Sequence, residues 1–179
     1  LTSFLVGFHA EYTTSRELME GVAKLAEKVK SPVWLHNSET RLEVEECRKR
    51  WGMTPTELTD SLGMYAYGGG GYHCVWMDEK DFEIFRDRKL TAVTNPASNL
   101  KLASGICPVK RFVDDGISMA IGTDGPASNN CLDMFREMFL TSALAKVREM
   151  DAACVGADEI LYMATAGGAQ AMQLLDCDR

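Results

Sequence analysis

Residues 31–40, SPVWLHNSET, decide how the rest of the chain is interpreted. The apolar Val-Trp-Leu run in this stretch is typical of a short buried strand, and a charged helical pattern begins directly after it. Thr40 and Glu43 have the spacing of a capping box, which predicts that a helix begins here. His36 and Glu39 therefore lie three residues apart at a strand-to-helix junction, where ionisable groups belong either to a plain surface or to the edge of an active site.

The same order of strand and helix recurs along the chain. Short apolar runs that end in polar or turn-forming residues predict strands at 3–8, 33–35, 72–75, 90–94 and 116–121. Strands that alternate with helices indicate parallel βαβ units, and therefore an α/β fold. Two architectures fit this alternation: an open doubly wound sheet, or consecutive units of a (β/α)8 barrel.

Helical patterns lie between these strands. Capping patterns predict helix starts at Thr14, Thr40 and Asp78. The first helix carries an apolar stripe of Leu18, Val22, Leu25, Ala26 and Val29. A long helix after residue 125 carries another, which consists of Leu132, Phe135, Met138 and Phe139. Both stripes are expected to pack against the sheet.

The histidines favour the barrel over the open sheet. The chain has three of them, His9, His36 and His73, and each lies at the end of a predicted strand, as Asp124 does. The carboxyl ends of barrel strands converge on one central mouth, whereas those of an open sheet lie along an edge. We therefore expect these four residues to meet at one site in a barrel.

Composition and charge exclude several classes of partner. The chain has 179 residues, 46% of them hydrophobic, and a net charge of −7, which argues against nucleic acid or an anionic membrane as the main partner. No apolar run approaches the roughly 18 residues of a membrane span. Six cysteines are scattered without a Cys-x-x-Cys pair, which suits a reducing cytoplasm better than a disulfide framework. A small molecule or another protein is the expected partner.

Each candidate motif also has a simpler interpretation. His36 beside Glu39 resembles a surface pair near a helix N-terminus, whose dipole favours the glutamate; the functional alternative is a metal ligand with a proton carrier. Asp124, in Gly-Thr-Asp-Gly, is either a turn residue or a carboxylate that binds a metal and accepts a proton. These motifs are weak one by one.

Two glycine-containing or turn-rich segments are also open to more than one interpretation. The four glycines at 68–71 lack the Gly-Lys-Ser/Thr of a phosphate-binding loop, so we expect a flexible loop or a strand edge crowded by substrate or backbone. Residues 95–105, NPASNLKLASG, are either a long loop or the lining of a pocket above the barrel.

Taken in order, these motifs resemble the amidohydrolase superfamily. The resemblance rests on His36 to Glu39, His73-Cys74, residues 95–105 and residues 122–125. Within the superfamily the chain is most similar to the 5-methylthioadenosine/S-adenosylhomocysteine deaminase and chlorohydrolase group. Residues 8–13, FHAEYT, resemble that group's Pro-His-Ala-Pro-Tyr-Thr, with Phe and Glu in place of the two prolines. The similarity extends from His9 to about Leu140.

The resemblance implies a role for each candidate residue. His36 and Asp124 would bind one divalent metal ion, zinc for such a nitrogen and oxygen site, with iron or manganese as the alternatives. Glu39, His73 and Asp124 would be catalytic. His9 would contact the substrate ring, and Glu39 and Asp124 would also contact the substrate.

The resemblance also implies an incomplete barrel. Residues 1–179 would correspond to strands 4 to 8 of a TIM-like (β/α)8 barrel, as part of a metal-dependent hydrolase domain. The usual His-x-His motif of the first strand is absent from this sequence, as is the small β-sandwich of the family. A catalytic zinc site typically has three protein ligands and a water molecule, so we expect further ligands before Leu1.

The activity that the resemblance implies is the hydrolytic deamination of an adenine nucleoside, such as S-adenosylhomocysteine or 5-methylthioadenosine, by a metal-bound hydroxide. Asp124 would take the proton of the water, His73 would orient it, and Glu39 would protonate the ring. One alternative substrate class is guanine, another aminated heterocycle or a chlorotriazine. Another alternative is a non-catalytic fragment or binding module, because the His-x-His motif is missing. A homo-oligomer is compatible with the sequence.

Overall fold

The computed structural model describes residues 4–174, and its centre is a parallel five-stranded sheet. The strands are β1 (Val6–Gly7), β2 (Val33–Asn37), β3 (Gly69–His73), β4 (Thr91–Thr94) and β5 (Ser118–Ile121). They lie in the sheet in the order β1-β2-β3-β4-β5, and each pairs in parallel with the next. Ser3, in the first predicted strand, and Cys177 lie outside the described residues.

Helices connect and follow these strands. Their bounds are α1 (Arg16–Val29), α2 (Arg41–Trp51), α3 (Pro55–Ser61), α4 (Glu79–Asp87), α5 (Pro96–Lys101), α6 (Val109–Asp114), α7 (Pro126–Asn129), α8 (Met134–Glu149), α9 (Ala157–Ala164) and α10 (Ala166–Ala171). Short 3₁₀ helices span Glu11–Thr13 and Met64–Tyr67. None of the helices in the described part of the chain is long and apolar enough to cross a membrane.

The strand order identifies an arc of a (β/α)8 barrel and rules out the open doubly wound sheet. A doubly wound sheet reverses its strand order at a switch point, whereas these five strands follow one another without a reversal. One face of the sheet, with Leu35, Ala92 and Met119, packs against the helices in the main core. The other face carries Trp34 and Val93.

Three of the four glycines, Gly69 to Gly71, form a strand rather than the flexible loop that was one of the two expectations, and Gly68 ends the 3₁₀ helix before it. β3 consists mostly of glycine because its neighbours leave no room for a side chain: a Cβ atom on Gly70 would lie 1.9 Å from the carbonyl oxygen of Thr91. A Cβ atom on Gly69 would lie 2.0 Å from the carbonyl oxygen of Val33. Crowding by backbone, the second interpretation, is therefore confirmed, and the strand ends at His73, two residues earlier than predicted.

Helix starts follow the predicted capping residues in two of three cases. Thr40 caps α2 in a complete capping box with Glu43, and Asp78 caps α4. At α1 the prediction was wrong by one residue, because the hydroxyl of Ser15, and not that of Thr14, accepts the backbone N–H of Leu18. Two adjacent hydroxyl residues offer equivalent caps, so the sequence could not distinguish them.

Two predicted apolar stripes are only partly buried. In α1, Leu18, Leu25 and Val29 are exposed, whereas Met19, Val22 and Ala26 are buried with β1 and α3 residues in a second core. In the long helix, Leu132 precedes α8, and Phe135 and Phe139 are exposed while Met138 packs against the main core. The helix faces that contact the sheet are therefore rotated from those that the apolar pattern predicted.

Residues 95–105 form a helix and a turn rather than a long loop. Pro96 occupies the first helical position of α5, where its missing N–H leaves no intrahelical bond unmade. The cysteines of the described part, Cys47, Cys74, Cys107, Cys131 and Cys154, are free, and all but Cys131 are buried.

Candidate active site

The predicted site residues meet at the carboxyl ends of the strands. His36 is the penultimate residue of β2, His73 ends β3, and Asp124 follows β5. One potential ligand atom from each lies within 4.8 Å of the others. β2 and β5 are three strand spacings apart, about 14 Å in a flat sheet, so the curvature of the barrel brings these side chains together.

Three histidine rings lie next to one another in this cluster. The ring of His9 lies 4.5 Å from that of His36, centroid to centroid, and the ring of His36 lies 5.2 Å from that of His73. Nδ1 of His36 lies 3.0 Å from the carbonyl oxygen of His9, which can only accept. His36 therefore carries its proton on Nδ1 and keeps a lone pair on Nε2. Burial, followed by the proximity of His36, lowers the pKa of His9.

His73 points an unpartnered nitrogen at two carboxylates. Its Nδ1 lies 2.7 Å from Oδ1 of Asn99, whereas its Nε2 is buried and has no hydrogen-bond partner among residues 4–174. That Nε2 lies 3.7 Å from Oε2 of Glu39 and 4.0 Å from Oδ2 of Asp124. A buried imidazole nitrogen without a partner is costly unless a ligand or water occupies the space in front of it.

Hydrogen bonds hold the carboxylate of Asp124 in its ionised form. Burial by itself raises the pKa of this group, but bonds from the hydroxyls of Ser128 and Ser98 and from the backbone N–H of Gly125 outweigh it, so the pKa is below its ordinary value. Both hydroxyls bond Oδ2, at 2.7 Å from Ser128 and 2.6 Å from Ser98, and the N–H of Gly125 lies 2.7 Å from Oδ1.

Glu39 is held by contacts to its side chain and its backbone. The hydroxyl of Ser104 donates to its Oε1 at 2.8 Å, and both residues are buried. The carboxylate of Glu43 accepts the backbone N–H groups of Ser38 and Glu39 at 3.0 and 2.7 Å. Burial raises the pKa of Glu43 to about 7 in spite of these bonds. Glu43 thus fixes the turn that presents Glu39.

Several contributors were not found from the sequence. The capping box identified Glu43 as a partner of Thr40 but did not indicate its bonds to Ser38 and Glu39. Ser98, Asn99 and Ser104 lie in the segment 95–105, for which a long loop and a pocket lining were both open interpretations and no residue had an individual role. Their short polar side chains offer no pattern that distinguishes them from turn residues.

The donor set fits a divalent metal ion. His36 and His73 offer imidazole nitrogens and Asp124 a carboxylate oxygen, which is a combination that zinc binds in proteins. The unpartnered Nε2 of His73 faces the same space. The cluster borders a cavity of about 240 Å³ lined by His36, Tyr72, Val93, Asn95, Gly122 and Asp124, so a small molecule can reach it.

Comparisons with known proteins agree with this geometry. The profile of the amidohydrolase family matches residues 2–176. The 5-methylthioadenosine/S-adenosylhomocysteine deaminase of Pyrococcus furiosus is 45% identical over 174 residues, which are 97% of this chain and 42% of that protein. The 5'-deoxyadenosine deaminase of Methanothermobacter thermautotrophicus is 41% identical over 167 residues, covering 93% of this chain and 39% of that protein.

A solved structure is also similar. The crystal structure of an adenosine deaminase from Xanthomonas campestris with bound zinc superposes with a TM-score of 0.88 and 38% sequence identity, over 95% of this chain and 39% of that one. The chain therefore spans about two fifths of the length of the relatives that it matches.

Proposed function

The chain belongs to the amidohydrolase family, and on this premise we propose that the protein removes the amino group of adenine nucleosides by hydrolysis. The observation that carries the proposal is the convergence of His36, His73 and Asp124 within 4.8 Å, with a carboxylate of Glu39 3.7 Å from His73. Relatives that are named as deaminases of 5-methylthioadenosine, S-adenosylhomocysteine and 5'-deoxyadenosine support this substrate class.

His36 and Asp124 hold a divalent metal ion in this proposal, and zinc suits the donors. A metal ion held by these residues would lower the pKa of a bound water molecule, so that the water would become a nucleophile at neutral pH. The Nε2 of His73 accepts a hydrogen bond from that water and orients it. We therefore expect the His73→Ala variant to lose activity but keep the metal. Loss of the metal together with activity would show that His73 is a third ligand.

Two carboxylates divide the proton transfers. Asp124, which its hydrogen bonds keep ionised, takes a proton from the water and delivers it to the departing amine. Glu39 protonates the ring nitrogen beside the attacked carbon, so that the carbon accepts the oxygen. The carbon–nitrogen bond then breaks and ammonia leaves, while the proton of the added hydroxyl group passes to Glu39 and restores it as the acid, so that an oxo product of the inosine type remains. His9, at the entrance of the cluster, contacts the substrate ring.

A substrate panel tests the proposal. The whole protein, loaded with zinc, is assayed for ammonia release from S-adenosylhomocysteine, 5-methylthioadenosine, 5'-deoxyadenosine and guanine, and for chloride release from a chlorotriazine. We expect ammonia from the adenine nucleosides, and Glu39→Gln should abolish that release while zinc content stays unchanged. Turnover of guanine or the chlorotriazine alone would show that adenine nucleosides are not the substrates. The absence of turnover with every compound would contradict the proposed activity.

We also propose that residues 1–179 are part of a larger barrel domain, whose remaining residues complete the metal site. The chain covers 42% of the Pyrococcus furiosus relative, and two proposed ligands are fewer than a catalytic zinc site typically has. Metal analysis of the 179-residue chain beside the whole protein tests this. Weak binding by the chain alone is expected, and stoichiometric zinc with turnover would contradict the proposal.

A further inference from the structure

One segment contacts every group that the proposed reaction uses for proton transfer. This segment, residues 95–105, consists of α5 and the turn after it, and we call it the clamp segment. Its uncharged polar residues Asn95, Ser98, Asn99 and Ser104 are all buried, with exposed fractions between 0 and 3%. Because buried polar side chains are stable only when they are hydrogen-bonded, their partners indicate what the segment does.

The three partners are functional groups on three different elements. Ser98 donates to Asp124, after β5. Asn99 accepts from the ring of His73, at the end of β3. Ser104 donates to Glu39, which lies 65 residues away and just before α2. No one of these contacts is local in sequence, so the barrel must fold before they form.

We propose that the clamp segment is a positioning device for the reaction, in which Asn99 sets the tautomer of His73 and Ser104 sets the direction of the Glu39 carboxylate. The inference rests on the proposed function and goes beyond it, because neither residue touches the reacting atoms.

The contact of Asn99 has a chemical consequence. An amide oxygen can only accept, so Nδ1 of His73 must carry the proton, and its Nε2 then presents a lone pair to the site. The other tautomer would present an N–H instead and could not accept a hydrogen bond from water. Asn99 therefore selects the form of His73 that the reaction requires.

The contact of Ser104 fixes the direction of a proton donor. Its hydroxyl holds Oε1 of Glu39, which leaves Oε2 facing Nε2 of His73 at 3.7 Å. Without this bond the carboxylate could rotate, and a misplacement of about 1 Å can lower a rate about 100-fold.

The clamp segment is itself fixed at both ends. At its start, the buried carboxylate of Glu137 accepts the backbone N–H of Ala97 at 2.9 Å. At its end, the indole N–H of Trp76 donates to the carbonyl oxygen of Ser104 at 2.7 Å. A segment anchored in this way can hold a side chain in one orientation, as positioning requires.

Ser104→Ala in the whole protein tests the positioning of Glu39. We expect kcat to fall between about 10- and 100-fold, with KM changed less than about twofold and zinc content unchanged. The matched control is Ser31→Ala, which also removes a buried serine hydroxyl, just before β2 begins. That hydroxyl accepts the backbone N–H of Val6 and donates to the carbonyl oxygen of Pro32, so it contacts backbone only. The control should lower stability but leave kcat unchanged. An unchanged kcat in Ser104→Ala, or an equal loss in both variants, would overturn the assignment.

Asn99→Leu and Asn99→Asp test the tautomer without an assay. In ¹⁵N-histidine spectra, the ring signals of His73, assigned by comparison with His73→Gln, should show a protonated Nδ1 in the native protein. Asn99→Asp keeps the acceptor and should keep this tautomer, whereas Asn99→Leu should lose it. If Asn99→Leu does not fold, the native protein and Asn99→Asp still decide the question.

A protonated Nε2 with a bare Nδ1 in the native protein would refute the role of Asn99 at once. These spectra need no substrate, so they remain decisive even if the substrate panel shows no turnover. In that case the proposed function would be wrong, but the spectra would still test whether Asn99 sets the tautomer of His73.

Discussion

The two ends of the sheet both contain left-handed backbone, but for different reasons. Where helices end, at the amino end of the sheet, Lys30, Gly52 and Met150 have positive φ as C-caps of α1, α2 and α8. A left-handed residue is an ordinary way to stop a helix, and glycine serves there best. At the carboxyl end, His73 and Asp124 have φ values of 72° and 58°, and neither caps a helix.

This difference separates the residues that hold the fold from those that hold the site. Left-handed backbone costs a non-glycine residue on the order of 1–2 kcal/mol. At helix ends, the strained residue only stops the helix and turns the chain. At strand ends, it aims the side chains of His73 and Asp124 into one space, and strain of this kind concentrates at functional sites. Substitutions at the carboxyl ends of the strands should therefore change activity, whereas substitutions elsewhere in the sheet and helices should change stability.

The largest expected effect is that of Asp124→Asn. Asparagine fits the same left-handed backbone, so the fold should persist, but it removes both a proposed metal ligand and the proton acceptor. We expect turnover in the whole protein to fall by on the order of 10⁴-fold, with little change in thermal unfolding. Asp114→Asn, at an exposed position in α6, is the matched control and should retain turnover. Near-normal rates in Asp124→Asn would remove its assigned role.

Gly70→Ala should have the opposite profile, a large loss of stability. Its new Cβ atom would lie 1.9 Å from the oxygen of Thr91, so β3 and β4 would have to separate. We expect the free energy of unfolding in urea to fall by about 3 kcal/mol. Gly21→Ala is the control: apart from the backbone of α1 itself, no atom lies within 4 Å of its Cβ position, and the variant should gain about 0.5–1 kcal/mol in stability. Equal stability of the two variants would contradict the backbone crowding.

The position of the site could be predicted from the sequence because it depends on strand ends. Once His36, His73 and Asp124 were placed after apolar runs, the geometry of parallel strands required them to lie at one end of the sheet. The capping residues Thr40 and Asp78 were equally predictable, since a cap bonds backbone only a few residues away.

The features that the sequence did not reveal depend on tertiary contacts or on absent side chains. A strand of glycines has no hydrophobic period, so the sequence left β3 open between a flexible loop and a crowded strand edge, and only the close approach of Thr91 and Val33 decided for the strand. The bond from Ser104 to Glu39 joins residues 65 positions apart, and no local pattern encodes it. The buried face of α1 was misjudged because Leu18 and Met19 are similarly apolar, and only the neighbouring elements decide which of them is covered.

Met150→Gly sharpens the comparison from the amino end and has the smallest expected effect. Met150 caps α8 with φ 53° and ψ 34°, and it is 88% exposed, so glycine relieves the backbone strain and loses little packing. The added freedom of glycine in the unfolded chain offsets part of the gain, which leaves about 0.5 kcal/mol. A small rise in the midpoint of thermal unfolding, with unchanged turnover, is the expected result. Met150→Ala keeps a Cβ atom and should not raise the midpoint of thermal unfolding. An equal rise with alanine would show that the methionine side chain, and not the left-handed backbone, limits the stability of this helix end.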